Sequence, residues 1–360
     1  MKIFFNLALL ALPFAASTQP TFKTKNVFII TTDGFRWQEV FGGADSALIH
    51  DDRFTIDTGL SKAMYWDGSI ELRRKKLMPF FWDVIAKKGQ LYGNRLFSNK
   101  MNVKNLYKIS YPGYNEILTG YADLNLISNT RVHNPNVNIL EYMNSKPAYS
   151  GKVAAFTSWN VFPFILNEER CRLPVNSGYE MLQADTTDIA SELINQVQES
   201  IIAKKHTRYD MLTYLAAREY VDAQHPKILF LGLGETDEAA HSSRYDLYLQ
   251  QASMADKMIA DLWYRVQTDP FYKDNTTFII TTDHGRGNTG RSWHTHNTFV
   301  RGSGQTWMAI IGPDISAAGE MKDDQQTYAN QLAATISLLL GERFTATRKT
   351  GKAMDLHAPR

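Results

Sequence analysis

The phrase Phe-Ile-Ile-Thr-Thr-Asp occurs twice in this chain, ending at Asp33 and again at Asp283. The flanking residues show no repeat, so the two copies are read as two apolar segments that each deliver an aspartate. His284 and Gly285 follow the second copy. Asp237 and His241 are four apart, a spacing that places both on one face of a helical turn. The series closes with Trp293-His294-Thr295-His296, and four of the nine histidines fall between positions 241 and 296. A lone aspartate after an apolar run is an ordinary cap or turn residue. A lone histidine is an ordinary surface or core residue, and that reading suits His50, His133, His206, His225 and His357. It does not suit three separate Asp/His placements that each follow an apolar segment. Asp33, Asp237, Asp283, His241, His284, His294 and His296 form an oxygen and nitrogen donor set. Such a set suits zinc and is compatible with manganese or iron. Seven donors exceed the roughly four that one zinc ion takes, so two divalent ions are implied. Cys171 is the single cysteine. It excludes an internal disulfide, a thiolate-rich metal site and Cys-x-x-Cys redox chemistry.

The donors need elements to carry them. Five short runs rich in Val, Ile and Phe read as buried strands: residues 26–32, 152–157, 227–233, 276–282 and 305–311. Helical periodicity fills residues 78–88, 189–203, 209–224, 248–266 and 327–340. Alternation of this kind predicts an α/β fold: a mostly parallel central sheet with helices on both faces. Ligands of such sheets bind at the carboxyl ends of the strands, where these aspartates stand.

The motifs resemble those of the alkaline phosphatase superfamily, in particular its type I phosphodiesterase / nucleotide pyrophosphatase-like branch. The resemblance covers about residues 26–341. Asp33-Gly34-Phe35-Arg36 is similar to that branch's first metal motif. Asp237-x-x-x-His241 and Asp283-His284-Gly285 are similar to its second and third, and His296 to its last ligand, ahead of His294. Ser110-Tyr111-Pro112-Gly113 resembles the nucleophile segment. The resemblance implies one ion held by Asp33, Ser110, Asp283 and His284, and another by Asp237, His241 and His296. It implies a Ser110 nucleophile that a metal activates, since a serine hydroxyl alone is a poor one. The branch carries an amide three residues after the nucleophile. Here Gly113 stands there, and Asn115 is the nearest amide to contact a phosphoryl oxygen. The resemblance also offers Arg36 and Arg95 as candidate phosphate contacts. Trp159 and Asn160, with Tyr111 and Phe162, suggest an apolar, stacking pocket for a large organic group. A sulfatase would need an arginine where Tyr114 stands. The cation pair often found in the phosphomonoesterase branch has no counterpart in residues 157–162.

The chain has 360 residues, 44% hydrophobic and 21% charged, the composition of a globular protein. Its net charge of +2 gives no electrostatic case for binding a nucleic-acid polymer. Met1 and Lys2 precede a mostly apolar run ending near Ala16, which reads as a signal peptide over residues 1–17. Residues 18–360 are then one alkaline phosphatase-like domain, exported to the periplasm or secreted, without a stable membrane anchor. Insertions near 44–74 and 166–187 are expected to cover the site. The reading is an exported two-metal phosphoric-ester hydrolase acting on a small-molecule phosphoester through a phosphoserine. A phosphomonoesterase, a phosphoglycerate-mutase-like enzyme or a phosphotransferase on the same scaffold is the alternative. A non-catalytic metal-stabilised binding protein is the other.

Overall fold

The computed structural model describes residues 22–183, 189–201, 204 and 206–356. The signal-peptide segment 1–17 lies outside them, as do parts of the second expected insertion and of helix 189–203.

Eleven strands are present among the described residues. They are β1 (Asn26–Thr32), β2 (Gln90–Tyr92), β3 (Lys100–Asn102), β4 (Val153–Thr157), β5 (Val175–Ser177), β6 (Ile228–Leu233), β7 (Thr276–Thr281), β8 (Gln305–Thr306), β9 (Met308–Ile311), β10 (Gly319–Glu320) and β11 (Gln326–Tyr328). Eight form one sheet in the order β10-β2-β9-β7-β1-β6-β4-β5, and β11-β3-β8 form a second, small one. Only β9 runs against the others in the large sheet. The parallel α/β expectation therefore holds.

Side chains alternate across a strand, and β1 shows it. Phe28 and Ile30 enter one core with Leu229, Leu231, Phe278 and Ile280. Val27 and Ile29 enter the opposite core with Ile228, Phe230 and Ile279. Helices Asp210–Gln224 and Tyr245–Thr268 pack on the first face, and helices Ser110–Thr119 and Leu332–Leu339 on the second. The site depends on register. Thr31 pairs with both Gly232 of β6 and Thr281 of β7, so the three central strands end level. The residues that follow them share one edge.

Three expected elements differ. The strand at 305–311 is broken at Trp307, whose buried indole donates to the Phe35 carbonyl, and its second half is antiparallel. Residues 78–88 form a π-helical turn, Phe81–Ile85, before Ala86–Lys88. The helix expected from residue 327 begins at Leu332, because residues 326–328 pair with β3. Of the two expected insertions, residues 44–74 form three short helices, two of them capped by Asp45 and Asp57. They sit beside helix Tyr245–Thr268, with the Tyr245 amide donating to the Phe54 carbonyl. The second insertion supplies β5, an edge strand of the main sheet.

Candidate metal centre

β1 ends at Thr32 and hands Asp33 to the carboxyl edge. Gly34 follows with φ +58°, and its amide donates to Asp283 Oδ1 at 3.0 Å. A Cβ there would lie 2.9 Å from Arg286 Nε and from Asp237 Oδ1, and 3.0 Å from His284 Cε1. Glycine is required both for the turn and for the space.

β7 delivers Asp283 and His284, both fully buried. His284 Nδ1 is 3.0 Å from the Gly285 carbonyl, which orients its Nε2 toward Ser110 Oγ at 3.4 Å. The same nitrogen lies 3.5 Å from Asp33 Oδ1 and 3.4 Å from Asp283 Oδ2. Ser110 opens helix Ser110–Thr119, which Gly120 ends in the left-handed conformation. Tyr114, one turn on, donates its hydroxyl to Asp33 Oδ2 at 3.1 Å. Gly113 lets this helix approach β7, because a Cβ there would meet the Asp283 carbonyl oxygen at 2.5 Å. The missing amide at that position is thus a packing requirement.

β6 is followed by helix Glu235–His241, tied to β1 by a 2.6 Å bond from Thr236 Oγ1 to the Asp33 carbonyl. Asp237 and His241 share a face as their spacing predicts, with His241 Nε2 3.2 Å from Asp237 Oδ2. His296 joins them: its Nε2 lies 3.0 Å from His241 Nε2 and 3.6 Å from Asp237 Oδ1. Its ring stacks on that of His284, centroids 3.7 Å apart. His294 points elsewhere, its ring near Phe54: residues 291–294 form a turn, whereas in extended chain two side chains two apart would share a face.

Two overlapping clusters result, Asp33/Asp283/His284 and Asp237/His284/His296, each with its donor atoms within 4.8 Å of one another. His284 belongs to both, and His241 borders the second. The donor chemistry fits a divalent cation. Asp33 Oδ1 and Asp283 Oδ2 are buried without a hydrogen-bond partner. The Nδ1 atoms of His284 and His296 face carbonyls, leaving Nε2 lone pairs turned inward. Burial and the neighbouring Asp283 charge push Asp33 up to about 8. Burial pushes Asp283 up to about 7. Burial, then the charges of His284 and Arg286, push His296 well down.

Arg36 and Asn115 do not serve the site as the resemblance implied. The Arg36 guanidinium is buried, pairs with Glu39 and donates to the Gly287 carbonyl. Asn115 is fully buried on another face of its helix. It donates to the Tyr121 carbonyl and accepts from Asn134 and Asn136, so its amide anchors the 121–136 loop. Arg95 is likewise spent on the Met101 carbonyl and Asn102. Trp159 and Asn160 follow β4 on the carboxyl edge, where they pair with Thr207 and His206. Phe162 is the aromatic side chain that reaches inward, packing on Tyr114 at 4.6 Å. Arg286 is the functional residue sequence reasoning missed. Fully buried, it contacts the Asp237 carboxylate and donates to the carbonyls of Gly34 and His294. One side chain thereby joins all three ligand-bearing loops. An arginine directly after Asp283-His284-Gly285 was the available signal.

The family model for type I phosphodiesterase / nucleotide pyrophosphatase matches residues 65–357, and the chain belongs to that family. It is therefore a metal-dependent hydrolase of the alkaline phosphatase superfamily. Asp33 precedes the matched stretch and is brought to it by the sheet. No curated protein sequence matches the chain. Among solved structures it is similar to the lipoteichoic acid synthase LtaP from Listeria monocytogenes, with TM-score 0.58, 11% identity and coverage of 89% of this chain and 72% of that one. It is similar to wild-type alkaline phosphatase PafA, with TM-score 0.55, 11% identity and coverage of 93% and 98%. A 2-O GAG sulfatase aligns with TM-score 0.52, 12% identity and coverage of 89% and 72%. At these identities the likeness is one of fold.

Proposed function

We propose that this family member is an exported phosphoric-ester hydrolase that prefers diesters, with Ser110 as its nucleophile and two divalent ions, zinc foremost. The observation that carries the reading is Ser110 Oγ at 3.4 Å from His284 Nε2, the nitrogen at which the two donor clusters overlap. Asp33, Asp283 and His284 would hold one ion beside Ser110, and Asp237, His241 and His296 the other. When bound, the ions acidify the nucleophile and neutralise charge on the transferred phosphoryl group.

The residues supply the rest. Ser110 Oγ forms the new bond to phosphorus as the ester oxygen departs, and water later cleaves the phosphoserine. The positive end of helix Ser110–Thr119 favours a deprotonated Ser110. Tyr114 holds Asp33 in place through its hydroxyl, where a sulfatase would need arginine. Burial of Asp33, Asp283 and His284 excludes competing water and strengthens each interaction. No cationic side chain from residues 157–162 stands ready for a dianionic monoester, which favours a singly charged diester. The substrate is a small-molecule phosphoester and no nucleic-acid polymer. Residues 1–17 direct export, and among the described residues no helix is long and apolar enough to cross a membrane.

The test is a substrate panel on the zinc-loaded chain: bis-p-nitrophenyl phosphate, p-nitrophenyl phosphate and p-nitrophenyl sulfate. The diester is expected to be cleaved fastest and the sulfate slowest. Faster sulfate hydrolysis, or no phosphoester turnover by a fully loaded protein, would overturn the reading.

A further inference from the structure

Three segments frame the donor clusters: residues 104–109, 124–134 and 297–304. Lys108 accepts from His296 through its carbonyl at 3.0 Å and donates its ammonium to the Thr298 carbonyl at 3.1 Å. Tyr107 donates to the Leu124 carbonyl at 2.6 Å, and the Tyr111 amide to Asn129 Oδ1 at 2.9 Å. The three segments are thus one connected rim beside Ser110 and His296.

This rim carries five large apolar side chains turned to solvent. Phe299, at 94%, is the most exposed such side chain among the described residues, and Leu106, Leu124, Ile127 and Val132 are each more than half exposed. Lys104, Arg131 and Arg301 are exposed on the same segments, and residues 104–109, 124–134 and 297–304 contain no aspartate or glutamate. A clustered apolar surface marks an interaction site. Its charge chooses the occupant. A second copy of the chain, face to face, would set cations against cations. An anionic bilayer offers headgroups to the cations and an acyl boundary to the apolar side chains.

We infer that this rim is an interfacial docking surface for an anionic lipid bilayer, and that the enzyme takes an amphiphilic phosphoester from the membrane surface. The second clause rests on the proposed hydrolase activity, and the docking itself does not.

The mature chain is mixed with vesicles of phosphatidylcholine alone or with added phosphatidylglycerol, and binding is read by co-sedimentation. Binding is expected to the anionic vesicles and to weaken with salt. The double variant Ile127→Asn/Phe299→Ser is expected to bind at least tenfold more weakly. Arg131→Glu/Arg301→Glu is expected to lose the preference for phosphatidylglycerol. Both variants should keep parental melting and parental turnover of a soluble p-nitrophenyl diester. Absence of vesicle binding, or equal binding by parent and Ile127→Asn/Phe299→Ser, overturns the proposal. So does a dimer in solution that Phe299→Ser dissociates. A chain that binds vesicles but hydrolyses no phosphoester fails the catalytic reading alone. One that hydrolyses soluble diesters and ignores vesicles fails the docking alone.

Discussion

His296 Nδ1 lies 3.0 Å from the carbonyl of Lys108, two residues ahead of Ser110. Lys108 is in the left-handed conformation, φ +53°. Its amide donates to Asn105 Oδ1, and Asn105 donates in turn to the buried carboxylate of Glu116. Glu116 belongs to helix Ser110–Thr119. The nucleophile helix therefore shapes its own entry loop, and that loop fixes the tautomer of His296.

The first prediction separates the Lys108 backbone from its side chain. Lys108→Gly accepts a positive φ without strain and should keep metal and turnover. Lys108→Val should incur strain of ~1–3 kcal/mol, loosen His296 and weaken zinc retention against a competing chelator. If the glycine variant is as impaired as the valine variant, the carbonyl is not what matters.

Ser110→Ala is the second. It removes one oxygen and none of the carboxylates or imidazoles, so elemental analysis should still find about two ions per chain. Turnover should fall by orders of magnitude, and acid trapping of the parent should show phosphate on Ser110. A variant with full metal and near-parental turnover would move the nucleophile elsewhere.

Much of this centre was legible in the sequence. Asp33 and Asp283 end identical apolar runs, and strand register needs only such runs to align them. Asp237 and His241 follow from helical spacing. Arg36 and Asn115 misled because sequence shows that a polar group exists, not which partner claims it. Glu39 claims the first, and Asn134 and Asn136 the second. Arg286 had a signal in its place after Asp283-His284-Gly285, but its partners, and those of Lys108, had none. Arg286 reaches the Asp237 carboxylate and two carbonyls, and Lys108 acts through its carbonyl in a left-handed turn, none of which residue type alone reports.

The third prediction concerns the two neighbouring histidines. His296→Ala should lose metal and activity together, since its Nε2 faces Asp237 and His241. His294→Ala should retain most of both, because Arg286 uses its carbonyl and not its ring. The reverse pattern would show that His294 is the ligand.

Arg286→Met should leave the Asp237 carboxylate and the Gly34 and His294 carbonyls without their buried partner. Breaking a buried pair in this way costs about 3–5 kcal/mol. The melting temperature should drop sharply, in the metal-free protein as well as the loaded one. An unchanged melt in both forms would mean that Arg286 does not join the three loops.

Asp210 gives the pH prediction. It is buried at the start of helix Asp210–Gln224 and accepts from Ser158 Oγ and from the amides of Gly234 and Glu235. Those amides open the helix that carries Asp237 and His241. Burial first, then repulsion from Glu235, raises its carboxyl from 3.8 to about 7. The folded chain therefore holds a proton that the unfolded chain releases between these values. Stability from this group is fully present below about 4 and is lost as pH rises through about 7. Asp210→Asn cannot titrate, so the stability of the parent relative to this variant should shrink between pH 5 and pH 8.5. Comparing the two zinc-saturated chains in urea at each pH cancels the shared titration of the metal-site groups. A difference that stays constant or grows with pH would mean that Asp210 is already ionised in the fold at pH 5.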